Sequence, residues 1–326
     1  MIKPSKRLRI SAAVLGACLL AGCSTAGNKT PDTMRYKVAL VAKSTQTDFW
    51  KAVFVGAEAA ATEYNLDLSI VGPETEEDYE AQNDMIAEAV ENGAQALVFS
   101  AIDYDANAPA IDKAAAQGVK IVVIDSAVNS GEVATYIGTD NYSAGQMAAE
   151  AALDGTTGDL QVGIVNYDIN SANGQERERG AVDALTESGR AQVVATIHTL
   201  AEANSAREDT LEMLRAHPEI NVLLAFNEPT SVGAAQAVEE LQLADSLWMV
   251  AFDSNLITVD ALQTGVVDVL VIQNTYEMGY FGVQSAYKLL AGQRSAVEKH
   301  VDTATRIINR QNLFALDSQK VLFPVS

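Results

Sequence analysis

Residues 38–42 read Val-Ala-Leu-Val-Ala, a continuous apolar run in a chain of 326 residues. A strand buried on both faces has this composition, because helices cover both sides of a parallel sheet. The apolar residues Val53, Ala57, Ala60 and Tyr64 then recur at helical spacing. A strand followed by an amphipathic helix is the first unit of an alternating pattern, and that pattern predicts an α/β fold with parallel sheets.

The alternation continues to residue 137 and then starts again. In the first series, further strands are predicted near residues 66–71, 96–99, 119–124 and 133–137. In the second series, strands are predicted near residues 162–165, 193–197, 222–226, 248–252 and 266–272. Gly93 and Gly118 are typical helix ends. We therefore predict two doubly wound parallel-sheet lobes, with the change of lobe near residues 138–141.

The amino terminus has the pattern of an export signal. A basic start precedes an apolar run over residues 10–20, small residues and Cys23. The ending Leu-Ala-Gly-Cys resembles a bacterial lipobox, which implies cleavage after residues 1–22 and a lipid on Cys23. A transmembrane helix or buried core segment is the alternative, but the run is shorter than the about 20 residues that span a bilayer. Residues 23–35 then form a flexible tether to the membrane, outside the cytoplasm.

Composition excludes several classes of partner. The leader carries four basic and no acidic residues, so its removal takes the formal net charge from −21 to −25. Such a surface repels nucleic acid, whose affinity depends on Lys and Arg at phosphates. The only cysteines are Cys18 and Cys23, so the mature chain has no pair for a disulfide. A hydrophobic content of 48% is enough for two cores without one.

Short polar residues follow four of the predicted strands. They are Asp125, Asn227, Asp253 and Gln273. Ligands in open parallel sheets bind beyond the carboxyl ends of the strands. Each of these residues alone is explained by helix capping or an Asx turn, but four together, with Phe49 and Trp50 after the first strand, favour a polar cleft. Carboxylates and amides pair with vicinal hydroxyls, while a flat aromatic ring covers the apolar face of a sugar.

Motifs spread along the chain resemble the ribose-binding-protein family, the periplasmic sugar-binding receptors of ABC transporters. The resemblance covers nearly all of residues 36–310, in order and at the family's spacing. The motifs are Val38-Ala-Leu-Val with Phe49-Trp50, Val122-Val-Ile-Asp125, Thr139-Asp140-Asn141, Arg177-Glu178-Arg179-Gly180, Asn227-Glu228, Phe252-Asp253, and Gln273-Asn274 with Met278-Gly279. The family is related to the ligand domains of lac-repressor-type regulators.

The resemblance implies a type I periplasmic binding protein, with two lobes joined by a three-crossover hinge and closing on a ligand. The first lobe would comprise residues 36–139 plus 274–301, and the second residues 140–273 plus 302–326. The implied ligand contacts are Phe49, Trp50, Asp125, Arg177, Asn227, Asp253 and Gln273. Secondary candidates are Lys43, Thr47, Ser100 and Ser126. Without the resemblance, Arg177 reads as a charge on a surface helix.

Several positions depart from the family's ribose receptors. Ser126 stands where they have Arg, Trp50 replaces Phe, and two Asn of that site fall near Thr47 and Ser100. The second-lobe half of the site is kept and the first-lobe half is altered. The ligand therefore stays open among ribose, a larger or less hydroxylated sugar, a furanose and a sugar alcohol.

Metal and enzyme chemistry find little support in the sequence. Asp103, Asp105 and Asn107 are spaced like the start of a calcium loop, but Ala108 and Ala114 occupy its glycine and closing acidic positions. The three histidines form no close-spaced zinc pair, and phosphate-loop, dinucleotide and serine-hydrolase motifs are missing from the sequence. We expect no metal, cofactor or catalytic residue. A DNA-binding regulator is excluded, because an export signal stands where the helix-turn-helix would be.

The expected function is capture of a sugar or polyol by a lipid-anchored monomer that delivers it to an ABC transporter permease. The alternative is a ligand-sensing co-receptor for a membrane sensor kinase or chemoreceptor. Both use the same closing of lobes on a ligand. Neither requires a catalytic group, because a ligand shifts the hinge equilibrium by its differential affinity for the closed state.

Overall fold

The structure is a computed structural model that describes residues 35–323. The predicted signal peptide, the lipidation site Cys23 and all of the predicted tether except Arg35 lie outside the described residues. Within residues 35–323, every helix is too short or too polar to cross a membrane.

The first part of the chain alternates strands and helices as the apolar pattern predicts. Its elements are β1 (Lys37–Val41), α1 (Asp48–Glu63), β2 (Asp67–Val71), α2 (Tyr79–Glu91), β3 (Ala96–Phe99), α3 (Ala108–Ala116), β4 (Lys120–Ile124) and β5 (Val133–Gly138). Gly93 and Gly118 follow the ends of α2 and α3 with φ angles of 87° and 89°. Glycine adopts this left-handed conformation without a Cβ clash, so it stops both helices where the sequence predicts.

The second part of the chain repeats the alternation. Its elements are α4 (Asn141–Gly155), β6 (Leu160–Asn166), α5 (Ala172–Glu187), β7 (Ala191–His198), α6 (Ala203–Ala216), β8 (Val222–Ala225), α7 (Glu228–Glu240), β9 (Trp248–Phe252), α8 (Leu256–Thr264) and β10 (Val269–Ile272). The last described elements are α9 (Thr275–Leu290), a 3₁₀ helix (Arg294–Ala296), β11 (His300–Asp302), β12 (Arg306–Asn309) and α10 (Leu316–Leu322).

The strands form two six-stranded sheets of matching topology. The first has the order β2-β1-β3-β4-β5-β11, with every pair parallel. The second has the order β7-β6-β8-β9-β10-β12 and is parallel except for β12, which runs antiparallel to β10. We call each sheet with its covering helices a lobe. The predicted α/β fold with two doubly wound sheets is confirmed, and the antiparallel edge strand β12 is an addition to it.

The chain crosses between the sheets three times. The crossings follow β5, β10 and β11. After the second crossing α9 returns to the first lobe and packs against α1 and the strands β3, β4 and β5. The predicted boundaries at 139/140 and 273/274 lie in the first two connections, while 301/302 lies one residue before the end of β11. The lobe boundaries stay a prediction.

Successive residues of each central strand pack on opposite faces of the sheet. In β1, Leu40 joins an apolar cluster with Val53 of α1, whereas Val41 joins a cluster with Ile86 of α2 and Ile111 of α3. All five side chains are essentially removed from solvent. Burial of each such aliphatic side chain contributes about 1.5–3 kcal/mol, which explains why residues 38–41 of the strand are all apolar, while the exposed Lys37 begins it.

A close helix contact fixes the main chain at the cleft. α4 and α5 pack side by side in the second lobe. A Cβ added to Gly145 of α4 would lie 2.0 Å from the carbonyl oxygen of Arg177 on α5. Only glycine permits this approach, so Gly145 lets α4 hold the backbone of Arg177 where its side chain enters the cleft.

Candidate functional site

Segments that follow strands of both sheets meet at one small polar cavity. Its lining residues are Lys43, Thr47, Phe49, Glu76, Asp125, Tyr167, Asn173, Arg177, Asn227, Glu228, Pro229, Asp253 and Gln273. The cavity thus lies between the lobes, beyond the carboxyl ends of strands, where parallel sheets bind ligands. All seven principal candidates except Trp50 belong to this set, and their roles as ligand contacts stay a prediction.

The lobes are closed tightly around this cavity. Its volume is about 20 Å³, room for roughly one water molecule, whereas ligand pockets commonly measure about 300–1,000 Å³. Hydrogen bonds cross between the lobes at its edge, including Lys43 Nζ to Ser171 Oγ at 3.0 Å. A molecule of monosaccharide size can enter only if the lining side chains and lobes move apart.

Arg177 is held on three sides. It donates from Nε to Asn141 Oδ1 at 2.9 Å, from Nη1 to the carbonyl of Phe226 at 2.6 Å and from Nη2 to Gln273 Oε1 at 2.8 Å. The guanidinium also lies 4.7 Å from the ring centre of Phe252, and the side chain is 1% exposed. The rigid planar fork therefore has one orientation in the cleft. The reading of Arg177 as a surface charge is wrong.

Asp253 and Gln273 form a hydrogen-bonded pair beside Arg177. Gln273 Nε2 donates to Asp253 Oδ1 at 2.8 Å, while its Oε1 accepts from Thr139 Oγ1 at 3.0 Å. Burial raises the pKa of Asp253 to about 7, although the Arg177 cation and the Gln273 hydrogen bond act to lower it. The carboxyl is thus near its titration point at neutral pH, and Asp253 lines the cavity.

Asp125 links the two lobes from the other wall of the cavity. Its Oδ2 accepts from Ser100 Oγ at 2.8 Å, and its Oδ1 accepts across the cleft from Asn173 Nδ2 at 3.1 Å. Burial raises the pKa of Asp125, and the Lys43 and Arg177 cations oppose this rise. Because both oxygens already have partners, a ligand hydroxyl has to share or displace the contact with Asn173.

Lys43 and Glu76 form a buried ion pair in the first lobe. Lys43 Nζ lies 3.1 Å from Glu76 Oε2 and 5.0 Å from the ring centre of Tyr167. Burial favours the neutral amine, but the combined attraction of Glu76, Tyr167 and Asp125 outweighs it, so the pKa of Lys43 lies above its ordinary value. The cavity wall therefore carries a fixed ammonium donor beside a carboxylate.

The two adjacent aromatics of α1 have different environments. Phe49 lines the cavity, with its ring edge-on to Trp50 at a centroid distance of 5.2 Å. Trp50 is 1% exposed and packs in the core of the first lobe. Its indole Nε1 donates to Glu76 Oε1 at 2.8 Å. Phe49 can cover a ligand directly, whereas Trp50 holds the carboxylate that pairs with Lys43.

Asn227 combines a structural and a binding role. As the N-cap of α7 it accepts the backbone N–H of Thr230 on Oδ1 at 3.0 Å. Its Nδ2 is buried at the cavity and has no hydrogen-bond partner among residues 35–323. A buried amide without a partner is costly, so a ligand acceptor at this point would be stabilised.

The secondary candidates occupy two different layers. Lys43 and Thr47 line the cavity, and Thr47 also caps α1 by accepting from the Trp50 N–H at 3.3 Å. Ser100 and Ser126 are fully buried and do not line it. Ser100 orients the Asp125 carboxylate, and its Oγ also accepts the backbone N–H of Ser126 at 3.3 Å. Ligand contact by these residues stays a prediction.

Five lining residues are absent from the sequence prediction. They are Glu76, Tyr167, Asn173, Glu228 and Pro229. Tyr167 directly follows β6 and Glu228 follows Asn227, so the strand-end criterion that selected Asp125 could have included them. Glu76 lies in the loop before α2 and Asn173 at the start of α5, and no local pattern marks either residue.

A second cavity of about 260 Å³ lies beside the first. Leu256 and Leu322 form part of its wall, and Phe49, Asp253 and Gln273 separate it from the polar cavity. Its lining offers fewer hydrogen-bonding side chains for a polyhydroxylated ligand. Within the described part of the chain, no group of three or more His, Cys, Asp or Glu residues is placed to hold a metal ion.

Two α/β lobes that close on a shared polar cleft define a two-lobed ligand-binding protein. A family model described as a periplasmic binding protein domain matches residues 38–294. The chain therefore belongs to the periplasmic binding protein family. This membership confirms the predicted family and fold, and the prediction of a binding protein rather than an enzyme.

Known proteins similar to this chain bind monosaccharides. The D-ribose/D-allose-binding protein of Pseudomonas aeruginosa is 28% identical over 319 residues, covering 94% of this chain and 99% of that protein. A carbohydrate transporter solute binding protein from Agrobacterium radiobacter, in complex with D-arabinose, has a TM-score of 0.85 and 27% identity, covering 89% of this chain and 99% of that one. An ABC transporter solute binding protein from Agrobacterium vitis with bound D-fucose has a TM-score of 0.84 and 26% identity, covering 88% and 99%.

Proposed function

We propose that this protein captures a neutral sugar or sugar-like polyol between its lobes and delivers it to an ABC transporter permease. The observation that carries the proposal is the set of fixed, buried donors and acceptors contributed by both lobes to one cavity. Asp125 and Lys43 belong to the first lobe, and Arg177, Asn227 and Asp253 to the second. A polyhydroxylated ring satisfies such groups from both sides, and the names of the similar proteins agree with this ligand class.

The charge of the cavity favours neutral ligands over anionic ones. Four carboxyl groups line it, those of Glu76, Asp125, Glu228 and Asp253. Among the described residues that line it, only Lys43 and Arg177 bring positive charge, and both already have hydrogen-bond or ion-pair partners. A uronate or sugar phosphate would add a negative charge to a buried and already acidic site, which is unfavourable.

Binding and closure are coupled in this proposal. Contacts from both lobes reach the ligand together only in the closed state, so the ligand stabilises that state by its differential affinity. The closed pair of lobes then forms the surface that a permease recognises. Lipid on Cys23, with residues 23–35 as a tether, keeps the monomeric binder close to its membrane partner.

Calorimetric titration with a panel of pentoses, hexoses and polyols tests the ligand class. We expect one-to-one binding of at least one neutral member, and no binding of the matching uronates or sugar phosphates. Asp253→Ala should abolish that binding. Asp260→Ala removes an exposed carboxylate of α8 in the same lobe and should leave it unchanged. Failure of every neutral ligand to bind, or equal binding by Asp253→Ala, contradicts the proposal.

Lipid attachment is tested separately in a bacterial host. The full chain should incorporate labelled fatty acid and sediment with membranes. Cys23→Ala should do neither. Labelling that persists in Cys23→Ala would show that Cys23 is not the lipidated residue. The proposed binding site would be unaffected by that result.

A further inference from the structure

Glu228 of the second lobe reaches the helix that carries Phe49 in the first lobe. Its Oε2 accepts the backbone N–H of Phe49 at 2.8 Å, and its Oε1 accepts that of Asp48 at 3.3 Å. These are the first two residues of α1, whose N–H groups have no partner within the helix. Thr47 accepts the third N–H of the helix, from Trp50. The amino terminus of α1 is thus capped jointly by its own lobe and by the opposite one.

The carboxylate is prepared for this contact within the second lobe. Asn255 Nδ2 donates to Glu228 Oε1 at 2.9 Å. Asn255 is itself fixed, because its Oδ1 accepts the N–H groups of Ile257 and Thr258 as the N-cap of α8. Glu228 is 7% exposed, so its orientation is set by hydrogen bonds rather than by solvent.

Burial raises the pKa of Glu228, and the hydrogen bonds from Asn255, Phe49 and Asp48 oppose this rise by favouring the ionised carboxylate. The amino end of a helix carries partial positive charge, and a carboxylate placed there is stabilised. The side chain of Asp48, the nearest acidic group on α1, pairs instead with Lys51 at 2.8 Å. Lys51 thus offsets part of the repulsion that Asp48 exerts on Glu228.

The contact also joins the main chain of Phe49 to the second lobe. Glu228 holds the main chain of Phe49 itself, and both side chains line the polar cavity. Separation of the lobes breaks both hydrogen bonds, since donor and acceptor belong to different lobes. Closure of the lobes and placement of the ring over the cavity are consequently one event.

We infer that Glu228 is a positioning residue that couples lobe closure to ligand capture by drawing the amino terminus of α1, and with it Phe49, onto the ligand. The role of Glu228 in ligand capture rests on the proposed function, whereas its contact with α1 does not. Loss of the carboxylate should weaken the closed state by roughly ten- to hundredfold, the range for hydrogen bonds to a charged group. The loss should appear mainly as faster ligand dissociation.

Hydrogen–deuterium exchange of the full chain tests the contact. It follows the amides of Asp48 and Phe49, with and without the best-binding sugar, in wild type, Glu228→Ala and Glu228→Gln. We expect Glu228→Ala to speed their exchange at least tenfold in the state in which wild type protects them. The exchange rates in Glu228→Gln should lie between those of wild type and Glu228→Ala, because an amide keeps one acceptor oxygen.

Asp268→Ala is the matched control. Asp268 is also a buried carboxylate of the second lobe that accepts a backbone N–H, from Met249 at 3.0 Å, but its partners all belong to that lobe. This variant should lower the melting temperature without changing exchange at Asp48 and Phe49 or the dissociation rate of the sugar.

The two proposals fail in different ways. Equal exchange of the Asp48 and Phe49 amides in wild type and Glu228→Ala, or no protection of them in wild type in either state, overturns the role of Glu228. Loss of protection together with an unchanged sugar dissociation rate overturns the coupling. If wild type binds no sugar, the proposed function fails, while the exchange in the ligand-free protein still decides whether Glu228 holds α1.

Discussion

Asp125 and Asp253 occupy equivalent positions in the two lobes. Each directly follows the fourth strand in the order of its sheet, β4 and β9. Each has a left-handed backbone, with φ angles of 56° and 64°. This conformation is uncommon for residues other than glycine, and Asp and Asn tolerate it best. The two-fold repetition places one carboxylate on each wall of the cleft.

The first prediction concerns the pH dependence of stability through Asp253. Its pKa is about 7 in the folded protein, above the value of about 3.9 for an unfolded chain. The folded state therefore binds the proton more tightly, so the stability from this group is present below pH 3.9 and lost as the pH rises through about 7.

Asp253→Asn should remove this loss while keeping the backbone conformation. Relative to wild type, the variant should be more stable at pH 8 than at pH 5, with its free energy of unfolding larger by on the order of 2 kcal/mol. Denaturant unfolding at both pH values measures it. A stability difference that is the same at both pH values would show that Asp253 is already ionised at pH 5.

The second prediction concerns Arg177. Arg177→Lys keeps the charge but leaves one ammonium to replace donors to Asn141, Phe226 and Gln273. We expect a loss of about 3 kcal/mol in the free energy of unfolding and no detectable sugar binding. Arg179→Lys on the same helix is the control, because Arg179 is 61% exposed and should cost less than about 0.5 kcal/mol. Similar losses in both variants would contradict the structural role of Arg177.

The third prediction separates the two aromatics of α1. Phe49→Leu keeps an apolar side chain but removes the ring that faces the cavity, so sugar affinity should fall about tenfold with a small change in stability. Trp50→Phe removes the hydrogen bond to Glu76, so the free energy of unfolding should fall by about 1 kcal/mol with sugar affinity changed less than threefold. Calorimetry and denaturant unfolding on both variants measure the two quantities. A large loss of sugar affinity in Trp50→Phe, with little change in Phe49→Leu, would show that Trp50 contacts the ligand.

The fourth prediction concerns the amide of Asn227. Serine is also a good N-cap, so Asn227→Ser should retain the contact with the Thr230 N–H and most of the stability. It lacks the buried Nδ2 that the cavity leaves without a partner. Sugar affinity should therefore fall at least tenfold while the melting temperature changes little. If the variant binds sugar as tightly as wild type, Asn227 caps α7 but does not contact the ligand.

The central strands were predictable because strands that are covered on both faces consist mainly of apolar residues. A strand such as β9 is covered on both faces, so its positions are apolar, and Asp253 directly after it is conspicuous. β11 and β12 escaped prediction. They have three and four residues, are mostly exposed or half-buried, and depend on neighbouring strands for their pairing.

Site residues that directly follow a strand could be predicted from the sequence. Site residues that are brought together only by contact between the lobes could not. Asp125 and Asp253 come directly after apolar runs. The contact of Asn173 with Asp125 joins residues 48 apart, and that of Glu228 with Phe49 joins residues 179 apart. Nothing local in the sequence encodes such contacts, because they arise only when two separately folded lobes close.

A crystal structure of the protein grown with its best-binding neutral sugar tests the central claim most directly. We expect a sugar between the lobes, covered by Phe49, with hydrogen bonds to Arg177, Asn227 Nδ2 and Asp253. A sugar bound elsewhere would contradict it, most clearly one in the neighbouring cavity lined by Leu256 and Leu322.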